Sequence, residues 1–289
     1  MYKFLLQVEN NGHYSEDTAT IARLIDERNW LCPNDEPMTT QDCRFEDLTS
    51  EIVANAIPVG SVEFVNKALG IGYNLGPMKP INIPQPLFRA EYLGRKCRIV
   101  NSVADIRRTF FDWHTSKLFI KSNTKIKAGY TDLYSARDNF PEDTEYFISA
   151  PVNLISEWRC FVYRGVLKGI KNYCGDPWLF PDRNFVTDCI NQIGDSLTAY
   201  TLDVGVTSNG KTIVIEVHNF ISCGLYGFDD SSIIPMLINA FKQEIQKETK
   251  HCSDCEYFLG MGDWNLCCSK KYDLCYANTP ACELFSCKN

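Results

Sequence analysis

Apolar and polar residues alternate most clearly along residues 200–227, where two strand patterns flank an Asn-Gly pair. Asn209 and Gly210 predict a type I′ turn, because both central residues of that turn have positive φ. A turn at this point places Asp203 directly opposite Glu216. One predicted face is wholly apolar and comprises Leu202, Val204, Val206, Ile213, Ile215 and Val217. The other face comprises Thr201, Asp203, Gly205, Thr207, Thr212, Val214, Glu216 and His218.

The opposed carboxyl groups of Asp203 and Glu216 need an explanation, because like charges on directly paired residues repel. Protonating one acid, placing a basic side chain nearby or binding a shared cation each removes the repulsion. Carboxylate oxygens on adjacent strands suit Mg²⁺ together with substrate phosphates. The alternative is a solvated hairpin face that carries two ordinary surface acids.

The first third of the chain alternates between strand and helix patterns. It predicts a small α/β domain at residues 1–95. The predicted elements are a strand at 2–8, a helix at 15–28, a loop at 32–44, a strand, glycine turn and helix start at 58–65, and an extended connection at 74–88.

A second predicted helix, from the cap at Ser102 to Thr115, precedes a strand that carries lysines. Lys121 lies on this strand, and a polar loop follows it as far as Gly129. A lysine beside a flexible loop is suited to holding phosphates, since the strand fixes the side chain and the loop closes over it. The alternative is a basic edge strand, because lysine also protects sheet edges.

A later strand, centred on Ser-Glu-Trp-Arg at 156–159, also alternates. Glu157 and Arg159 share one face, while Trp158, Cys160 and Val162 share the other. The pattern then predicts a turn at Arg164-Gly165, a strand containing Lys171, a loop at 176–183 and a helix at 186–199. After the hairpin, an apolar stripe predicts a helix that ends near Lys250.

Composition and charge narrow the function classes. The 289 residues are 45% hydrophobic and 22% charged, as in a globular protein, and the net charge is −7. This charge argues against nucleic-acid binding, which calls for a basic surface. The N-terminal stretch does not have the pattern of a signal peptide, and no apolar segment approaches the ~20 residues that span a bilayer. We therefore expect a soluble, cytoplasmic protein without membrane contact.

Half of the 14 cysteines lie beyond residue 250. A segment this short builds little core, so a bound metal is an economical way to fold it. The spacing predicts one Zn²⁺ bound by Cys252, Cys255, Cys282 and one of Cys267 or Cys268. An iron–sulfur cluster is the alternative, while disulfides conflict with a cytoplasmic location. We expect this module to position a substrate or to bind a protein partner.

The order of these features resembles the ATP-grasp fold. A lysine strand, a loop lysine, an acid-x-Arg strand and an Asp/Glu hairpin follow one another over roughly residues 55–248. Phe119-Ile120-Lys121, Ser156-Glu157-Trp158-Arg159 and the hairpin are similar to a small, phage-associated clade named for two arginines and a lysine. The resemblance implies that ATP lies between two α+β subdomains and activates a carboxylate as an acyl phosphate, which an amine or similar nucleophile attacks.

The resemblance also implies residue roles. Arg159 contacts a phosphate or the acyl phosphate, with Lys121 and Arg183 as the other candidate catalytic residues. The candidate nucleotide-binding residues are Lys121, Lys125, Glu157 and Lys171. The candidate Mg²⁺ ligands are Asp203, Glu216, His218 and Asn219.

One position departs from the clade. The family usually has Asn two residues after the hairpin Glu, but here that residue is His218, and Asn219 follows it. Either a bulge turns Asn219 toward the metal, or His218 replaces it, or metal binding is weakened. Imidazole is a poorer partner for Mg²⁺ than for Mn²⁺ or Zn²⁺.

The predicted fold class is therefore α+β, with an ATP-grasp domain at residues 96–250 between the N-terminal domain and a cysteine-rich metal-binding module at 251–289. The predicted function is an ATP-dependent carboxylate–amine ligase. The alternative is a catalytically weak protein that binds a nucleotide or a partner on the same scaffold.

Overall fold

The computed structural model describes residues 2–115, 117–123, 129–130, 145–247, 258–259 and 267–268. Spatial proximity of Cα atoms divides the chain into two units, Met1–Ala240 and Phe241–Asn289. No helix among the described residues is both long and apolar enough to cross a bilayer.

The strands are β1 (Lys3–Gln7), β2 (Thr39–Cys43), β3 (Ala56–Val59), β4 (Cys97–Val100), β5 (Phe119–Ser122), β6 (Gly129–Tyr130), β7 (Tyr146–Ser149), β8 (Leu154–Tyr163), β9 (Val166–Gly175), β10 (Ala199–Thr207), β11 (Thr212–Asn219), β12 (Phe258–Leu259) and β13 (Cys267–Cys268). The α-helices are α1 (Glu16–Leu31), α2 (Ser50–Val53), α3 (Val62–Tyr73), α4 (Ala90–Leu93), α5 (Val103–Asp112), α6 (Arg183–Ile193) and α7 (Ile233–Lys247). Short 3₁₀ helices cover Gln85–Leu87 and Gly194–Ser196.

The N-terminal strands form a parallel sheet in the order β2-β1-β3. Phe4, Leu5 and Leu6 are consecutive and all buried, as expected for a central parallel strand that is covered on both faces. The predicted strand at 2–8 is confirmed. The loop predicted at 32–44 is wrong, because it contains β2. This strand is polar and mostly exposed at the sheet edge, so it has no apolar alternation.

Side-chain caps define the first helices. Ser15 caps α1 by accepting a hydrogen bond from the backbone N of Thr18 at 3.3 Å. Ser61 caps α3 by accepting one from Phe64 N at 3.1 Å. Both predicted helix starts are confirmed, since a serine side chain satisfies a backbone donor that the first turn leaves unpaired.

Two antiparallel four-stranded sheets follow, in the orders β4-β7-β5-β6 and β11-β10-β8-β9. In the first, Ile120 and Ile148 pack in one core with Ile106 of α5. In the second, Trp158, Cys160 and Val162 pack with α6. The predicted faces of β8 are confirmed, and the face that carries Glu157 and Arg159 lies on the other side of its sheet from this helix.

The turn of the β10–β11 hairpin differs from the prediction. Gly210 has a φ of 78°, but Asn209 is not in the left-handed region. Thr207 N donates to Lys211 O at 2.9 Å, and Gly210 N donates to Thr207 O at 2.8 Å. The loop therefore contains residues 208–210 rather than two residues, and the predicted type I′ turn is wrong.

A β-bulge compensates for the longer loop. Val204 pairs with Val214, whereas Asp203 pairs with Glu216, so Ile215 is the extra residue. The predicted pairing of the two acids is confirmed, but through two deviations that cancel. Because a one-residue shift exchanges the faces of a strand, Val214 lies in the core and Ile215 lines a cavity, the reverse of the prediction.

The helix predicted at 186–199 begins and ends earlier. Asp182 caps α6 by accepting hydrogen bonds from the backbone N atoms of Asn184 and Phe185. Arg183 is therefore the first helical residue rather than a loop residue. The helix ends at Gly194, where φ is 56°, and Ala199 already belongs to β10.

In the second unit, β12 and β13 pair in antiparallel fashion. Cys267 and Cys268 form β13, while Cys252, Cys255 and Cys282 lie outside the described residues. The zinc and iron–sulfur interpretations therefore stay predictions.

Gly175 and Gly210 provide a test of the packing at the end of β9. Both have left-handed φ angles, 77° and 78°, but a Cβ at Gly175 would lie 2.0 Å from Ile155 O, whereas one at Gly210 meets nothing within 4 Å. We expect Gly210→Ala to cost about 1 kcal/mol and Gly175→Ala about 3 kcal/mol in urea unfolding. Equal losses would show that the close approach at Gly175 does not constrain the strand.

Candidate active site

A cavity of about 860 Å³ lies between the two antiparallel sheets. Lys121 and Phe147 reach it from one sheet, while Leu154, Glu157 and Ile215 reach it from the other. Its size is that of a small-molecule site, and its walls are mainly apolar with a few convergent polar groups.

A second cavity, of about 460 Å³, shares Phe119, Lys121 and Glu216 with the first. Arg159 and His218 also line it, as do residues of the connection around Lys79 and of the loop after β11. Lys121 and Glu216 therefore stand where the two cavities meet. A group that passes between the two cavities must contact these side chains.

Arg159 and Asp203 form a buried, bidentate ion pair. Arg159 Nε donates to Asp203 Oδ1 at 2.8 Å, and Nη2 donates to Oδ2 at 2.7 Å. The register of β8 and β10 places the two residues directly opposite each other. Only 6% of Arg159 and 1% of Asp203 is exposed, so water replaces little of this interaction. Arg159 also donates from Nη1 to Gly224 O at 3.1 Å.

Aromatic rings hold the arginine from the other side. The guanidinium carbon of Arg159 lies 5.1 Å from the ring centre of Tyr226 and 5.8 Å from that of Tyr173. The two rings stack with centres 5.2 Å apart. Tyr173 is the extra residue of a bulge in β9 and donates its hydroxyl to Glu157 Oε2 at 2.9 Å. The sequence analysis missed both tyrosines, because neither belongs to an alternating pattern.

Glu216 is held by two other donors. Lys121 Nζ donates to its Oε2, and His218 Nε2 lies 2.5 Å from its Oε1. All four carboxylate oxygens of the Asp203/Glu216 pair thus contact a nitrogen of the protein. Burial lowers the pKa of Lys121 to about 8, an effect that nearby Asp203 opposes and Arg159 strengthens.

Asp203, Glu216 and His218 form a candidate metal site. One donor atom from each lies within 4.8 Å of the others. The strand ladder is regular from Glu216 to Asn219, so no bulge turns Asn219 onto the face of the acids. Asn219 Oδ1 instead accepts a hydrogen bond from Ile221 N at 3.1 Å. Two hard carboxylates and an imidazole are a donor set that fits a divalent cation.

The other predicted site residues have different positions. Glu157 lines the large cavity, and Lys171 lies directly opposite Arg159 on β9. Arg183, at the first turn of α6, is not among the described residues that line either cavity. Lys125 lies outside the described residues.

Asn82 is a cavity residue that the sequence analysis missed. It has a left-handed φ of 54°, its O accepts a hydrogen bond from Val217 N at 2.6 Å, and its Nδ2 donates to Ser122 O at 3.3 Å. The predicted connection at 74–88 thus joins both sheets beside the large cavity. The only sequence signal was the tolerance of asparagine for this backbone conformation.

Comparison with known families now identifies the class. The chain matches, over residues 92–236, the ATP-grasp domain of family 2 of the clade named for two arginines and a lysine. This match covers half of the chain, which therefore belongs to that family and has an α+β fold of the ATP-grasp type. The resemblance to the ATP-grasp superfamily and to this clade is confirmed.

Several solved structures are similar. A D-cycloserine synthetase matches with 11% identity over 83% of this chain and 99% of its own, at a TM-score of 0.49. An ATP-grasp RimK domain protein from Sphaerobacter thermophilus matches with 15% identity over 83% and 97%, also at 0.49. The D-alanine–D-alanine ligase from Bacillus anthracis, in complex with ATP, matches with 12% identity over 86% and 98%, at 0.47. No curated protein matches the chain.

The Arg159–Asp203 pair makes a prediction about stability. Arg159→Met leaves a buried, unpaired carboxylate, so we expect a loss of about 3–5 kcal/mol in unfolding free energy. Adding Asp203→Asn should recover a large part of that loss. The exposed Arg98–Asp112 pair, at 2.9 Å, is the control, and Arg98→Met should cost less than about 1 kcal/mol. Similar losses at Arg98 and Arg159 in urea unfolding would contradict this interpretation.

Proposed function

We propose that the protein is an ATP-dependent, Mg²⁺-requiring ligase that joins a carboxylate to an amine or similar nucleophile. The observation that carries the proposal is the convergence of two buried cations, Lys121 and Arg159, and two opposed acids, Asp203 and Glu216, at the junction of two cavities. Phosphoryl transfer depends mainly on positioning and on neutralising charge, which this set of groups supplies.

The two cavities support a division of the substrates. The larger, apolar cavity between the sheets accommodates the nucleotide base and sugar, with the phosphates directed toward Lys121. The smaller cavity, on the side of Arg159 and His218, accommodates the acceptor carboxylate. Bound Mg²⁺ would offset the phosphate charges, and Asp203, Glu216 and His218 would hold it.

The reaction in this arrangement has two steps. A carboxylate oxygen of the acceptor attacks the γ-phosphorus, and the bond between that phosphorus and the bridging oxygen of ADP breaks. The amine nitrogen then attacks the acyl carbon, inorganic phosphate leaves, and the amine loses a proton. Arg159 faces the space where negative charge builds up in both steps, and its planar guanidinium suits two oxygens of one group.

A second candidate function is nucleotide binding with little turnover. It is favoured by one observation, namely that protein nitrogens already contact every oxygen of the two acids. A protein that keeps these contacts when nucleotide is bound has no free carboxylate oxygen for the metal. Turnover measurements separate the two functions.

Lys121→Ala should have opposite effects on nucleotide and metal. Removing the ammonium group takes a charge-assisted contact from the phosphates, so we expect ATP to bind about 10–100-fold more weakly in calorimetry. The same change frees Glu216 Oε2, so Mn²⁺ should bind more tightly in the absence of nucleotide. Lys168→Ala, at an exposed position of β9, is the control. Weaker binding of both ligands would indicate a general loss of structure.

Glu216→Gln tests turnover. With ATP, Mg²⁺, a panel of amino acids and short peptides, and hydroxylamine to trap acyl phosphates as hydroxamates, the wild type should release ADP and form hydroxamate. The variant should lose at least about 100-fold in rate, because the neutral amide stabilises the metal and the transition state less. Glu91→Gln, at an exposed position of α4, is the control. Unchanged turnover in the Glu216 variant would contradict the metal assignment, and ATP binding without any turnover would favour the second function.

A further inference from the structure

His218 makes the candidate metal site chemically unusual for a nucleotide-dependent enzyme. Mg²⁺ prefers oxygen ligands and binds nitrogen poorly, whereas Mn²⁺ accepts imidazole alongside carboxylates and phosphates. His218 lies on the same face of the hairpin as the two acids, two residues after Glu216. Its Nε2 faces the oxygen of Glu216 that Lys121 does not contact.

The surroundings of His218 provide an acceptor for its second ring nitrogen. Thr201 is directly opposite His218, and opposed side chains have Cβ atoms roughly 5 Å apart. Thr201 is fully buried, and its Oγ1 has no hydrogen-bond partner among the described residues. A histidine that binds a metal through one nitrogen usually donates the other N–H to a nearby acceptor, which fixes the ring.

We propose that His218 is a metal ligand that gives this site a preference for Mn²⁺ over Mg²⁺, and that Thr201 positions its ring. The inference rests on the proposed function, since it concerns the ion that accompanies the nucleotide phosphates. The site combines two carboxylates and phosphate oxygens with one imidazole nitrogen. This mixture favours Mn²⁺ over Zn²⁺, which more often takes several nitrogen or sulfur ligands.

The test uses the full chain, Mn²⁺ and inorganic tripolyphosphate, which mimics the nucleotide phosphates and contains no nitrogen. In pulsed electron paramagnetic resonance of bound Mn²⁺, we expect modulation from a ¹⁴N nucleus in the wild type. The modulation should disappear in His218→Asn, which restores the amide oxygen usual at this position, while Mn²⁺ stays bound. We also expect the ratio of the Mg²⁺ to the Mn²⁺ dissociation constant to fall about tenfold in this variant.

Two outcomes overturn different parts of the argument. Bound Mn²⁺ without ¹⁴N modulation in the wild type, or modulation that persists in His218→Asn, overturns the ligand assignment but leaves the carboxylate site intact. Failure of folded wild-type protein to bind Mn²⁺, with or without tripolyphosphate, overturns both this inference and the metal site of the proposed function.

The role of Thr201 is tested separately. Thr201→Val keeps the shape of the side chain but removes the acceptor, so we expect Mn²⁺ affinity to fall several-fold, with weaker or altered ¹⁴N modulation. Thr201→Ser retains the hydroxyl and should restore both properties. Equal Mn²⁺ affinity and an unchanged spectrum in the valine variant would overturn the positioning role.

Discussion

The structure depends on the repulsion between two carboxylates that the β10–β11 hairpin holds directly opposite each other. Two different sources of positive charge remove this repulsion. Arg159 comes from the neighbouring strand of the same sheet and binds both oxygens of Asp203. Lys121 comes from the other antiparallel sheet and contacts Glu216. The second contact joins the two sheets across the cavity, so the charge balance of the acids also determines how the cavity is closed.

The two cations are not equivalent. Arg159 is held by a strand register, two aromatic rings and a backbone carbonyl, and its guanidinium stays charged at any ordinary pH. Lys121 is a point charge on a flexible side chain, held to a single oxygen. A polyphosphate that enters the cavity competes for Lys121 far more easily than for Arg159. Asp203 therefore belongs to the rigid part of the site and Glu216 to the exchangeable part.

Much of this arrangement was predictable because it follows strand alternation. The faces of β8 and the pairing of Asp203 with Glu216 follow from a period of two residues, and a family resemblance gave Lys121 its context. The exchange of Val214 and Ile215 was not predictable. A three-residue loop and a bulge leave the acids in register, so the two deviations cannot be distinguished from a tight turn by pattern alone. Asn82 and Tyr226 were missed for a related reason, since each lies outside regular strands and takes part through a left-handed backbone conformation.

Such conformations also explain why the loop after β11 belongs to the site. Ser222 and Tyr226 have φ angles of 57° and 49°, which cost energy for residues other than glycine. In return, Tyr226 covers Arg159, and Ser222 Oγ donates to Gly60 O at 3.1 Å beside the first turn of α3. The loop therefore ties the N-terminal sheet to the arginine that pairs with Asp203. Because the smaller cavity is lined by this loop, by the connection before Asn82 and by α3, its shape depends on residues outside the ATP-grasp match. The part of the site that selects the acceptor is thus built largely from the N-terminal segment, while the part that handles phosphate is built from the two antiparallel sheets of the ATP-grasp fold.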